Sequence, residues 1–364
     1  MPEVGNFMTL DAGDIHSIMG VETGDIETVM GLEYPASGLA WAGTRALVMG
    51  GHYYNTGGSS RSTDNVQYKT LTTDGNTAAF DDLSTPKQET AGSGSNVTRV
   101  INGGGRTYAA SNAFALDSID YMVVASLGSV ADAGNLNEGS HQGGNGGASN
   151  GTLCFFVGGG NLDANMEQMN IGSTSGATDA GDIGTGASNA HVTTNGDSKF
   201  LIIGIGTGTG NKTAVDEHNF STSADSSAYG NVASIGVGSS SAVCAVNRVV
   251  VAGGYIDASN TMGTRMHYFP VASSADSDSS DAADLVVGAV NHAATSDGTR
   301  GEWYGGGAMP DDNFQQNDIQ KVTIASLANA SDIGDLTTAD SASGSQYEDA
   351  EANGIDRAAA QTGT

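Results

Sequence analysis

Six times along the chain a short apolar run drives straight into glycine: TRALVMGG at 44–51, TRVINGGG at 98–105, TLCFFVGGG at 152–160, SKFLIIGIG at 198–206, NRVVVAGGY at 247–255 and TRGEWYGGG at 299–307. An apolar run of that length reads as a strand buried on both faces. The glycines that end it are Gly50 and Gly51, Gly103 and Gly104, Gly158 and Gly159, Gly204 and Gly206, Gly253 and Gly254, and Gly305 and Gly306, which places successive copies 46 to 55 residues apart. A variable polar loop follows each copy, and then an alternating strand, as in NVQYKTL at 65–71 or DIQKVTIAS at 318–326, with Val66, Ile119, Met166, Val215, Met266 and Ile319 in register. A short closing segment comes next and ends on Leu83, Leu136, Ile183, Val232, Leu285 or Leu336. Between it and the next apolar run lies a small-residue stretch such as SSAVCAV (240–246) or NHAATSDG (291–298), whose Ser-Asp-Gly or Ser-Asn-Gly pattern predicts a hairpin turn.

Each unit therefore holds four short strands in about 50 residues. A meander of that size cannot bury both faces alone, so it must stack on copies of itself. The glycines suit a strand near a central channel, where a residue without Cβ permits close approach and a sharp exit. The pattern of an apolar strand ending in Gly-Gly, an alternating strand often carrying Tyr (Tyr68, Tyr121, Tyr268) and a short strand ending in an aliphatic residue resembles the kelch repeat. The resemblance covers 36–336 and implies an all-β, kelch-like β-propeller of about six four-stranded blades. It departs from kelch where a tryptophan usually packs on the glycines: Phe80, Ala133, Ala180, Tyr229, Ala282 and Ile333 stand there. The tail, 337–364, begins like another unit and lacks its glycine pair, so 337 to about 350 is expected to add a closing strand to the first blade, with EYPASGLAWAG (33–43) as the alternative for that place.

Residues 1–35 are of another kind. AGDIHSIMGVE is followed at once by TGDIETVMGLE, so that Ile15, Ile18, Met19 and Val21 recur as Ile26, Val29, Met30 and Leu32. This apolar stripe lies on a segment too short to fold alone. It either packs on its own propeller or docks into a larger assembly, since exposed apolar segments mark partner surfaces. The duplication, together with TSDGTRGEWYGGG (295–307) and IQKVTIASLANASDIGDLTTA (319–339), resembles structural proteins of tailed phages, particularly those of marine bacteria. That resemblance implies a virion protein, assembled in the host cytoplasm, tail-associated more often than a capsid decoration or head fibre, with other virion proteins as partners of the arm.

Composition narrows the function classes. A formal charge of −28 with only 13 Lys and Arg argues against nucleic acid, whose affinity comes from clustered basic residues. Aspartate outnumbers glutamate 30 to 11. Such an acidic protein is tolerable in saline surroundings, where the Debye length is short, or the acid simply keeps a Gly-rich surface soluble. Cys154 and Cys244 lie in apolar runs and read as buried thiols. No basic start, no apolar run of signal-peptide length and no membrane-spanning stretch occur, so membrane insertion and export by an evident signal are not expected.

No catalytic constellation emerges. The seven histidines are scattered over the repeats, no cysteine cluster suits zinc, and GIGTGTG (204–210) is the fourth blade motif, without the helix that a dinucleotide loop needs. Asp276 with Asp278 and Asp311 with Asp312 suggest at most a weak calcium loop. The expectation is a protein without enzymatic activity or cofactor, a propeller on an assembly arm; a sugar-binding or sugar-active extracellular propeller is the rival class. Host glycan or protein contacts are expected on the loops after the glycine pairs, with Tyr53, Tyr54, Tyr108 and Phe114 as aromatic candidates, unless these rings cover the blade ends instead.

Overall fold

The computed structural model describes most of residues 45–337, the short strands Ser17–Ile18, Val21–Glu22, Thr28–Val29 and Leu32–Glu33, and Tyr347–Glu348; the longest stretches outside the described residues are 1–16, 34–44, 138–145, 206–211, 233–239, 256–262, 272–279, 338–346 and 349–364. Two units are compact by themselves, Met1–Ala40 and Trp41–Thr364. The second is a six-bladed antiparallel β-propeller with no helix among the described residues. Blade two shows the plan: Gly92–Ser95, Arg99–Gly103, Ser118–Val123 and Val130–Asn135, each strand paired with the next. Blades three to six repeat it, and blade one shows its last three strands, Arg45–Met49, Asn65–Thr70 and Ala78–Asp82.

The propeller has no single core. Its buried side chains fall into six clusters, and each joins the facing sides of two successive blades. Leu47 and Met49 point toward blade two and pack with Val100 and Met122, while Ala46 and Val48 point back toward blade six and pack with Tyr304 and Ile319. A strand whose alternate residues feed two different seams must be apolar throughout, which is why the second strand of each blade reads as a continuous apolar run. The recurrent positions Val66 to Ile319 and Leu83 to Leu336 all face forward into the next seam. Cys154 and Cys244 are buried without a disulfide, each in the seam with the preceding blade. Of the positions where kelch carries tryptophan, Phe80, Ala133, Ala180, Tyr229 and Ile333 face forward into the next seam, and the side chain of Ala282 lies outside the described residues.

The glycine-terminated strand is not the one beside the axis. That place belongs to the small-residue strands, Gly92–Ser95, Gly147–Ser149, His191–Thr194, Ser241–Cys244 and Ala293–Ser296, which pack side by side from blade to blade. Crowding explains their composition. A Cβ on Gly147 would lie 2.8 Å from the Ser93 nitrogen, and one on Gly94 2.6 Å from Cys154 Sγ. Hydroxyls join these strands: Ser149 Oγ donates to the Ser95 carbonyl at 3.1 Å and Ser296 Oγ to the Cys244 carbonyl at 2.8 Å.

The repeated glycines solve a different problem. Gly50, Gly104, Gly158, Gly204, Gly253 and Gly305 all stand at φ between 53° and 80°, the left-handed region; in four blades the second strand ends there, and in blades three and four its pairing shifts register and resumes at Gly159 and Ile205. In the triplet Gly103-Gly104-Gly105 the equivalent of Gly50 is thus Gly104, and Gly103 is still strand, paired with Gly92. In four blades the turning glycine donates its N–H to the carbonyl that begins the third strand, as Gly50 does to Asn65 at 2.8 Å and Gly305 to Asp318 at 3.0 Å. The closing residue is bonded alike in all six: Leu83, Leu136, Ile183, Val232, Leu285 and Leu336 donate at 2.6 to 2.8 Å to a carbonyl just before the third strand or, in blade three, at its second residue, Ala164.

Successive blades are also stapled. Arg45 reaches the Val124 carbonyl of blade two, Arg99 the Gly172 carbonyl of blade three, Arg248 the Ile324 and Ala325 carbonyls of blade six, and Arg300 returns to the Thr73 carbonyl of blade one. On the way Arg45, Arg99 and Arg248 cross the faces of Tyr68, Tyr121 and Tyr268 at 4.5 to 5.1 Å, a cation–π contact that holds the side chain extended.

Two stability tests follow from these contacts. Gly306 has φ +103°, and a Cβ there would meet the Val290 carbonyl oxygen at 2.7 Å and His292 Cβ at 2.9 Å; Gly306→Val is expected to lose about 2–4 kcal/mol in chemical denaturation, the range of strain and overpacking. A midpoint equal to that of the parent would show that the site relaxes. Arg248→Met, which keeps the stem but frees both carbonyls, is expected to lose about 1–2 kcal/mol; an unchanged midpoint would reduce the staple to surface decoration.

Candidate functional site

The second strands all end and the third strands all begin on one face of the ring, and among the described residues three of the connections there form hairpins. His52–Tyr54 pairs with Ser60–Ser62, Arg106–Ala109 with Asn112–Ala115, and Gly307–Ala308 with Phe314–Gln315. The expected recognition residues lie here. Tyr53 and Tyr54 are in the blade-one hairpin, and Tyr108 and Phe114 in the blade-two hairpin, opposite Ala113 and Thr107. They stand in paired strands and not in open loops. Phe114 is 54% exposed, the largest apolar side chain so presented among the described residues.

The C-terminal segment joins this face. Tyr347–Glu348 pairs with His52 and Tyr53, so this part of the tail extends the blade-one hairpin, while 338–346 and 34–44, which hold most of the two candidates for the inner strand of blade one, lie outside the described residues. Thr337, before it, donates its N–H to Gln67 Oε1 at 2.8 Å and its hydroxyl to the Thr77 carbonyl at 2.9 Å, which ties the end of blade six to blade one.

Below the hairpins, the axial ends of the inner strands carry polar side chains in an almost dry setting. His191, Thr193, Ser241, His292 and Thr295 are all buried to 4% exposure or less. His191 Nε2, Thr193 Oγ1, Ser241 Oγ and Thr295 Oγ1 have no hydrogen-bond partner among the described residues. Burial lowers the His191 imidazole to about 4 and, with His191 adding repulsion, His292 to about 3. The pair is therefore neutral at physiological pH. The histidines scattered along the sequence converge in part, because His191 opens the inner strand of blade four and His292 immediately precedes that of blade six.

At the rim between blades three and four, a polar cleft of about 430 Å³ is lined by Asn137, Glu167, Asp179, Asp182 and Asp225 among others. Its carboxylates serve the backbone: Glu167 Oε2 accepts from the Asn137 N–H at 2.6 Å, Asp179 Oδ1 from Gly181 at 2.9 Å and Asp225 Oδ1 from Asp182 at 3.2 Å. Among the described residues no group of three or more His, Cys, Asp or Glu side chains is placed to hold a metal ion. Asp276, Asp278, Asp311 and Asp312 lie outside the described residues.

Neither a family model nor a curated protein matches the chain. The reading of the site rests on its own residues.

In the first unit the two copies of the duplication fold alike. Ser17–Ile18 pairs with Val21–Glu22, and Thr28–Val29 with Leu32–Glu33, so that Ile18 faces Val21 as Val29 faces Leu32, eleven residues on. Ile15, Met19, Ile26 and Met30 fall outside the described residues. Sequence reasoning overlooked the stapling residues Arg45, Arg99, Arg248 and Arg300, although a basic residue, Lys199 in the fourth, stands before five of the six apolar runs and was the signal available.

The buried histidines give a pH test. Their folded values lie below the unfolded value of 6.5, so as pH falls the unfolded chain takes up protons first. The stability they allow is complete above that value and is lost as pH drops through the window between it and about 4 to 3, by at most about 3 kcal/mol for His191 and about 5 kcal/mol for His292. The denaturation midpoint is expected to fall between about pH 7.5 and about pH 4.5, and to fall less in a His191→Gln, His292→Gln variant. Equal slopes in parent and variant would assign the acid loss to carboxylates alone.

Proposed function

We propose that this protein is a non-enzymatic structural component of a tailed-phage virion, a propeller that joins the particle through its N-terminal arm and contributes to tail architecture or host-surface attachment. The observation that carries the reading is the arm. Two copies of an eleven-residue segment form the same hairpin in the same register. A contact presented twice on one chain gains avidity against a partner that also repeats, and a virion is built of repeated subunits. The resemblance of TSDGTRGEWYGGG and IQKVTIASLANASDIGDLTTA to phage structural repeats supports the same reading. In it, the blade-two hairpin with Phe114 faces the host surface, since an exposed ring on a rigid hairpin stacks on sugars or fills a pocket at small entropic cost.

Deleting residues 1–34 removes both hairpins and leaves every glycine-terminated strand, so the truncated protein is expected to fold as a propeller yet fail to join particles in an assembly assay. Ile18→Asp with Val29→Asp should reproduce the failure by placing charge in both apolar pairs. Equal incorporation of truncated and full-length protein would move attachment to a face of the ring.

A further inference from the structure

Five of the six seams join blades that follow one another in the chain. The sixth, between blade six and blade one, joins residues more than two hundred positions apart, and its chemistry differs. At each seam one residue of the second strand meets one residue of the next blade's third strand, and Leu47, Ile101, Phe155, Leu201 and Val250 provide the first partner in seams one to five. Met122, Met169, Phe269 and Val322 provide the second in four of them, and His218, 5.1 Å from the Phe155 ring, in the third. The equivalent pair at the closing seam is Glu302 and Lys69, 3.0 Å apart and with side chains 0% and 3% exposed. Glu302 also accepts from Tyr304 Oη at 2.5 Å and forms an ion pair with Arg300, whose Nε lies 2.6 Å from Oε1. Lys69 Nζ also donates to the Thr73 carbonyl at 2.6 Å, while Asp74 binds Arg300 at 2.7 Å and Lys321 at 2.6 Å.

We propose that this buried charge network is the recognition code of ring closure, by which blade six selects blade one of its own chain over every other blade edge, including those of a second copy of the protein. Connectivity chooses the partners at the other seams, so apolar contact suffices there. At the closing seam the chain leaves the choice open, and an apolar face would accept any apolar face. Glu302 does not: set against a methionine or valine it would lose the Lys69 ammonium and keep only Tyr304 and Arg300 of its own strand, and Lys69 would lose its carboxylate, a penalty of the kind that makes a buried ion pair a register device. Both Glu302 oxygens and Lys69 Nζ are hydrogen-bonded at the native seam, so the pair excludes wrong partners without orphaning its own charges.

The test is a triple variant, Lys69→Met with Glu302→Leu and Tyr304→Phe, which gives the closing seam the chemistry of the others and leaves no stranded hydroxyl. Parent and variant are unfolded in denaturant, refolded over a range of protein concentrations and sized by light scattering. The parent is expected to return as closed monomers, and the variant to give a fraction of dimers and larger species about ten times greater, rising with concentration. An equal monomer fraction at every concentration would overturn the proposal. Should the triple variant not fold, the code is read from Lys69→Glu and Glu302→Lys chains, each with like charges at its own seam, refolded apart and together. A mixed dimer that forms only in the mixture supports the code, because each chain then supplies the other's complement; its absence counts against it.

Discussion

A sheet of four short strands has two apolar faces and can bury neither without a neighbour, so every blade here depends on two others and the ring depends on its last contact. The six clusters of buried side chains are the physical form of that dependence. None belongs to one blade. Such a molecule has little stability to offer in parts, since removing one blade exposes two faces at once, and its unfolding is expected to be cooperative around the circle although the repeats are separate units of sequence.

Seen this way, the scarce basic residues acquire a common purpose. Of the 13 in the chain, Arg45, Arg99, Arg248 and Arg300 reach from one blade to the next, and Lys69 and Lys87 are buried in ion pairs with Glu302 and Asp120. In these six residues positive charge is drawn inside the ring, where the buried acids Glu302 and Asp120 meet two of them. The network at the closing seam concentrates the same logic, with Lys321 and Arg300 beside Asp74 holding its carboxyl below the usual carboxylate range.

Much of this fold was legible in the sequence because its repeat has a physical cause at each recurrent position. Val66 to Ile319 and Leu83 to Leu336 recur since each enters a forward seam, and the apolar runs are continuous since both their faces are covered. Radial order was not legible. Nothing in GEWYGGG states its distance from the axis, and the glycines that crowd the axis, Gly92, Gly94 and Gly147, lie in stretches too bland to stand out. The triplet at 103–105 hid which glycine turns the chain, because only φ distinguishes them. Glu302 and Lys69 were visible as charges at apolar positions, but their pairing lies in three dimensions, 233 residues apart. The axial histidines escaped notice for the same reason.

The neck of each loop has a consequence of its own. Where the turning glycine donates to the residue that opens the third strand, the blade is already closed, and whatever chain lies between is a closed detour hanging from a finished sheet. Lengthening such a detour leaves every seam untouched and adds only closure entropy, about 0.6 kcal/mol for each doubling. The ring is thus a set of sockets of fixed geometry, into which segments of different length and composition can be exchanged while the frame that presents them stays the same.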